Sequence, residues 1–466
     1  MTNVLARPKI AVSVVFVLAL FMSIMDAAIV NVALPSIGAE FGVAPTGVGA
    51  VSVGYLVSLA VVIPASGWLG DRFGAKRVML AAIVLFTVAS ALCGLAGSFP
   101  QLVGFRVLQG IGGGMLMPVG MAMLFQAFPP QERMRASAIL TIPTTLAPAA
   151  GPLLGGVLVD SLNWRWVFLV NIPFGVIALV YGLLFLRGLD ETRVSRFDLR
   201  GFLLSGLGFA SLMYGVSAGP EQGWGDPLVL ATLVLGVVLL VALVITQRRT
   251  PEPLLALRLF GDRLFRSMTG VMVLTMASFF GVIYMAALFL QDCLGVSPLV
   301  SGLSTFPEAI GIMVGSTFAG RFTHARLGPR WTSVCALLLV FVSIGSLTLI
   351  TSTAGLWPMR IILFVLGIGI AHIFVPAQAT AFTNVARRDT GAASTLFNAL
   401  RQLGSAVGVA ALTTALTLAG GQHSQAGDVY PYHVAFSIAA LIALLGAGVA
   451  LTLATRKPSV EPQVSV

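Results

Sequence analysis

Long apolar stretches alternate with short polar ones from end to end of this chain. Runs bounded by charge, proline or glycine fall near 10–34, 47–69, 78–97, 101–126, 136–159, 165–186, 201–218, 228–246, 265–290, 300–320, 331–350, 357–381, 391–418 and 433–454. Each is close to the roughly 20 residues that an α-helix needs to cross a bilayer. The pattern predicts an all-α polytopic membrane protein with fourteen transmembrane helices. The first run holds an anomaly, because MDAAIVNVALP at 25–35 places Asp26 in apolar surroundings that carry no charge from Ile10 to Met25. The run continues to Leu34, beyond the length of a secretory signal, so a retained first helix is expected.

Composition agrees with the pattern. The chain of 466 residues is 57% hydrophobic and 9% charged, with mean hydropathy +0.98. That is too little charge to cover a soluble protein of this size. The net charge of +10 would suggest nucleic acid as a partner, but its distribution points elsewhere. With the N-terminus in the cytoplasm, 23 of the 27 basic residues fall in inside loops and tails. Only Arg165 falls outside, while Arg106, Arg360 and Arg401 lie within spans. Both termini are therefore expected in the cytoplasm, and nucleic acid is not expected as a partner. The six Trp, at 68, 164, 166, 224, 331 and 357, lie near span ends or in a loop, as an interfacial belt requires. Arg outnumbers Lys 24 to 3, which fits a GC-rich genome.

A fixed offset runs through the chain. GVAP at 42–45 matches GVSP at 295–298, RFG at 72–74 matches RLG at 326–328, and Arg106 matches Arg360. The offsets are 253, 254 and 254. Spans 1–6 thus resemble spans 9–14 in the same orientation, with spans 7 and 8 inserted. Parallel six-helix halves are a transporter architecture with substrate sites between the halves near the midplane. The expected division is 1–190 for the first bundle, 191–262 for the inserted pair and 263–466 for the second bundle and tail.

Four motifs carry a resemblance to a known family. They are MDAAIVNVALP at 25–35, GWLGDRFGAKR at 67–77, RVLQGIGGG at 106–114, and APAAGPLLGG at 147–156 followed by WRWVFLVNIPFG at 164–175. RQLGSAVGVA at 401–410 adds to the set. The chain resembles the major facilitator superfamily, and within it the fourteen-helix drug:proton antiporters. One departure is Ala147, where the family's motif usually opens with Gly.

The resemblance implies roles for these residues. Gly67, Gly70, Asp71, Arg72, Gly74, Lys76 and Arg77 would form a gating latch that holds the halves together while the cavity faces outward. Gly70 and Gly74 suit the turn, and Asp71 suits a neighbouring helix N-terminus. The second half lacks this acid, since the place of Asp71 falls near Ala325. Gly151, Pro152, Gly155 and Gly156 form the antiporter motif. Small residues four apart let helices approach closely, and Pro152 weakens the local ladder.

Ionisable residues within spans are costly and mark cavities or proton paths. Asp26 lies about 24 Å along the first span and Glu308 about 12 Å into the tenth. Burial favours the neutral form of a carboxyl group, so either acid is suited to take and lose a proton. Arg106 is the expected partner of a carboxylate, giving Asp26, Arg106 and Glu308 as the proton-coupling set. Asp26, Glu308, Arg401 and His372 are the candidate cavity residues. For Asp26 a structural bond to a neighbouring helix backbone is the alternative, and for His372 a hydrogen-bonded helix residue is the favoured reading.

Enzyme chemistry is not indicated. A Walker-type GxxxxGK[ST] is absent, GIGGG at 110–114 sits in a membrane span, and the four His and three Cys form no metal-ligand spacing. No cofactor or metal is expected; the proton gradient is the expected energy source. The expected protein is a monomer in the bacterial cytoplasmic (inner) membrane, exporting amphipathic or cationic compounds by alternating access. A transporter dedicated to one metabolite, lipid or self-made antibiotic, facilitated uptake without protons, and a non-transporting sensor or assembly protein remain open.

Overall fold

Helices make up every regular element of the described residues. The computed structural model describes residues 2–43, 48–129, 132–186, 197–250, 253–319, 323–420 and 428–453. Arg187, Arg193, Arg196, Arg321, Arg456 and Lys457 lie outside the described residues, as do the side chains of Arg7, Pro152, Ala325 and Arg387.

Among the described residues, fourteen helices of 15 residues or more follow one another. They are α1 (Thr2–Phe41), α2 (Ala50–Phe73), α3 (Ala75–Gly94), α4 (Phe99–Ala127), α5 (Arg133–Ser161), α6 (Asn171–Phe185) and α7 (Leu199–Gln222). They continue as α8 (Pro227–Gln247), α9 (Arg263–Leu288), α10 (Pro298–Phe318), α11 (His324–Ser346), α12 (Leu356–Ala381), α13 (Thr390–Leu418) and α14 (Tyr430–Leu451). Among the described residues, twelve helical segments are long and apolar enough to cross a membrane, and α5 and α10 fall outside that set. The protein is a polytopic membrane protein.

Local sequence sets the helix ends. Side chains of Ser98, Asp198, Asp226, Asp262 and Ser297 accept backbone N–H bonds at the starts of α4, α7, α8, α9 and α10. These satisfy donors that the first turn leaves free. Left-handed glycines punctuate the chain at the matched positions of the repeat. Gly42 has φ 65° and Gly295 φ 64°, while Gly74 has φ 88° and Gly328 φ 70°. Gly74 alone makes the turn between α2 and α3. Gly70 lies inside α2, so its expected part in the turn is not observed.

The packing repeats as well. α1 packs on α5 and α6 as α9 packs on α13 and α14. α4 packs on α2 and α3 as α12 packs on α10 and α11. Across the seam between the sets, α2 and α4 meet α13, while α5 meets α10 and α12. α7 packs on α8 and also touches both sets, through α2 and α13. Ala60, Ile63, Phe209, Met213, Leu243, Leu255 and Ala399 form one buried cluster there.

Contacts between helix ends define two ends of the bundle. At one, Lys9 pairs with Glu132 at 2.7 Å and Arg258 with Asp389 at 2.7 Å, and the loops are basic. At the other, Glu40 pairs with Arg165 at 2.8 Å and accepts a bond from Trp164 at 2.6 Å.

Candidate functional site

Asp26 is fully buried inside the first bundle, ringed by side chains from three other helices. Arg106 Nη1 of α4 donates to its Oδ2 at 2.6 Å. Its Oδ1 accepts from Gln109 Nε2 of α4 at 2.9 Å and from Asn171 Nδ2 of α6 at 2.7 Å. The second hydrogens of both amides go to Ser90 Oγ of α3, at 3.1 and 3.0 Å. Ser90 in turn donates to the Phe168 carbonyl at 2.9 Å. Arg106 also donates to Gln109 Oε1 at 2.7 Å and to the Val51 carbonyl at 3.3 Å. Its guanidinium lies 4.3 Å from the Tyr55 ring centre and 5.7 Å from that of Phe168.

This arrangement explains how a carboxylate is tolerated among apolar helices. A buried charge is costly unless paired and hydrogen-bonded. Here three donors meet the two oxygens, and aromatic faces cover the guanidinium. All three bonds use the Asp26 oxygens as acceptors.

Sequence reasoning paired Arg106 with a carboxylate but missed Gln109, Asn171 and Ser90. Gln109 carried a signal, three residues after Arg106 and hence on the same helix face. Asn171 sits inside the quoted WRWVFLVNIPFG stretch, without a partner legible from sequence.

The second glycine motif meets α1 directly beside this ring. A Cβ at Gly151 would lie 2.6 Å from Ala28 Cβ, and one at Gly155 would lie 3.0 Å from Ile29 Cγ1. The two glycines therefore allow α5 to lie against α1. Gly156 makes no such approach and its position is open.

At the basic end the two sets of helices touch. A Cβ at Gly67 would meet Thr395 Oγ1 at 2.6 Å, so α2 and α13 are in contact there. Ser66 and Thr395 hydroxyls lie 3.3 Å apart. The Asp71 carboxylate lies against Gly391, in the first turn of α13, where the helix dipole favours an anion. Arg133 of α5 donates to the Phe382 carbonyl, and Phe125 stacks on Phe382 with ring centres 4.8 Å apart. Asn398 of α13 donates towards Met121 Sδ of α4 at 3.3 Å. Lys76 bonds the Leu186 carbonyl, and Arg72 and Arg77 are exposed.

Three cavity candidates lie in the second set. Glu308 is buried in the middle of α10 and has no hydrogen bond or ion pair among the described residues. Arg401 of α13 is half-buried and likewise without a partner among the described residues. His372 is different, because both ring nitrogens are engaged. Nδ1 meets the Ile368 carbonyl at 2.8 Å and Nε2 the Thr323 hydroxyl at 3.1 Å. A carbonyl can only accept, so Nδ1 is the donor in the first of these bonds. Arg360, the repeat partner of Arg106, has no ion pair among the described residues and donates to Ser304 Oγ at 3.2–3.3 Å. The structure therefore separates Asp26 with Arg106 from Glu308 and Arg401 and does not bring the four together.

Comparison with known proteins places this architecture. The sequence model of the Major Facilitator Superfamily matches residues 16–409 and 268–465, and the chain belongs to that family. It is a transporter, not an enzyme. It is 32% identical over 434 residues to the putative multidrug resistance protein MdtD of Pectobacterium carotovorum, covering 91% of this chain and 92% of that one. It is 34% identical over 407 residues to the multidrug resistance protein B homolog of Mycobacterium tuberculosis, covering 86% and 75%. Among solved structures, the human organic anion transporter MFSD10 shares the fold with TM-score 0.68 at 17% identity, covering 96% and 99%.

Proposed function

We propose that the chain is a proton-driven exporter of amphipathic compounds, working by alternating access between two six-helix bundles. The proposed bundles are 1–190 and 263–466, with 191–262 as the inserted pair, giving fourteen spans with both termini in the cytoplasm of a bacterial inner membrane. The protein acts as a monomer, without a cofactor. Relatives named as multidrug resistance proteins support export as the direction.

The observation that carries the reading is Glu308. A buried carboxyl without a partner, about 15 Å along a membrane helix from its start, is stable neutral and unstable as a lone anion. It sits on α10, which faces α5 across the seam. Rocking of the halves exposes it to one side and then the other, so it can collect a proton outside and release it inside. Asp26 belongs to the coupling set in a second way. It can exchange a proton only when Arg106 withdraws, which ties its protonation to movement within the first bundle. The contacts of Asp71, Ser66 and Arg133 at the basic end support a state closed to the cytoplasm.

Proteoliposomes with an imposed pH gradient test this reading, with ethidium and an internal pH dye followed together. Wild type is expected to move both, and Glu308→Gln to lose the proton signal. Folded wild-type protein that moves ethidium with no proton signal would overturn the proton coupling.

A further inference from the structure

The charged side chains within the spans do not all cancel. Asp26 is matched by Arg106, and Arg360 is bonded to Ser304 and lies 4.8 Å from the Trp357 ring centre. That leaves Glu308 and Arg401 as the acid and the base away from the helix ends that lack partners among the described residues. Their helix faces say where they point.

On α13, Gly404 and Gly408 face α9, where a Cβ would meet the Val273 and Ala277 carbonyls. Asn398 faces α4 at Met121. At 100° per residue, Arg401 falls between these two directions. It therefore looks into the space bounded by α4, α9 and α13, one turn further from the closed basic end than Asn398.

On α10, Gly311 and Gly315 face α12 at Phe364 and Ile368. The exposed side of α10 carries Leu303, Phe306, Ile310 and Met313. Glu308 is on the opposite, buried side, next to the glycine face. α10 packs on α5 and α13 on α2, so the two groups are carried by the two helices of the second set that meet the first set at separate contacts.

We propose that this pair selects zwitterionic substrates, with an ammonium group received by Glu308 and a carboxylate or similar anion received by Arg401. The inference rests on the exporter reading above. A guanidinium presents a planar fork that fits a carboxylate bidentately. A simple cation would satisfy Glu308 and cover Arg401 without giving it an acceptor, which is unfavourable. The zwitterion satisfies both. Its ammonium competes with the proton for Glu308, while its carboxylate rests on a group that does not titrate.

The test compares ciprofloxacin, zwitterionic near neutral pH, with its methyl ester, which keeps the amine and loses the carboxylate. Binding to purified wild type is measured without any gradient, and export is measured in proteoliposomes. Wild type is expected to bind the zwitterion at least tenfold more tightly than the ester. Arg401→Gln is expected to bring that ratio close to one, and Arg401→Lys to restore part of it. Equal affinity in wild type, or an unchanged ratio in folded Arg401→Gln, overturns the proposal. The wild-type comparison stands even if the variants do not fold. If the zwitterion is preferred in binding but nothing moves under a gradient, the exporter reading fails while the selectivity holds.

Discussion

Asn171→Ala is the sharpest probe of the Asp26 ring. It removes one donor to a buried carboxylate at 2.7 Å and one to the Ser90 hydroxyl at 3.0 Å. A hydrogen bond to a charged group contributes about 1.5–3 kcal/mol, and a neutral one between membrane helices about 0.6 kcal/mol. Against this, Asn171 Oδ1 is buried without a partner, and deleting it returns about 1 kcal/mol. The net loss is therefore about 1–3 kcal/mol. The assay is reversible unfolding in mixed micelles by increasing sodium dodecyl sulfate, run as a double-mutant cycle with Asp26→Asn. Once the charge is gone, Asn171→Ala is expected to cost about 1–2 kcal/mol less than in wild type, because only neutral bonds remain. Additive effects, within about 0.3 kcal/mol, would refute the reasoning that Asn171 acts on the charge.

Two further outcomes follow from the packing. Gly367→Ala would drive a Cβ into the Glu308 carbonyl well inside contact distance, so α10 and α12 must separate. The folded yield by size-exclusion profile is expected to fall sharply, and a normal profile would contradict the close approach. Asp71→Asn removes the anion at the first turn of α13, worth about 0.3–1 kcal/mol at a helix N-terminus. Spin labels at Arg72→Cys and Arg388→Cys, both exposed, in a background without Cys93, Cys293 and Cys335, are expected to show a larger share of long distances. An unchanged distance distribution would remove Asp71 from the closure.

Much of the architecture is legible in the chain because membrane helices declare themselves through apolar length. The repeat is legible for a second reason, since a left-handed backbone needs glycine. Gly42 with Gly295 and Gly74 with Gly328 keep both the residue and the conformation across the offset. Asp26 stood out because a charge in an apolar run is conspicuous. Its partners did not, because Ser90 and Asn171 are ordinary polar residues on other helices, 64 and 145 positions away. Contact between them is a property of packing, which periodicity does not encode. The same limit hid Gly391 as the neighbour of Asp71. Gly70 misled because one glycine of a turn motif resembles another, and only the backbone shows which one bends.

The inserted pair has a mechanical consequence. α7 lies along one of the two seams and touches both α2 and α13, while Trp224 donates to Thr414 at 2.8 Å. The buried cluster there sets small Ala60 and Ala399 among bulky Ile63, Phe209 and Met213. In the proposed rocking motion the pair cannot follow both sets at once, so one of its two contacts must yield. α7 thus acts as a strap along one edge of the seam, and the proposed rocking must work against it on that side.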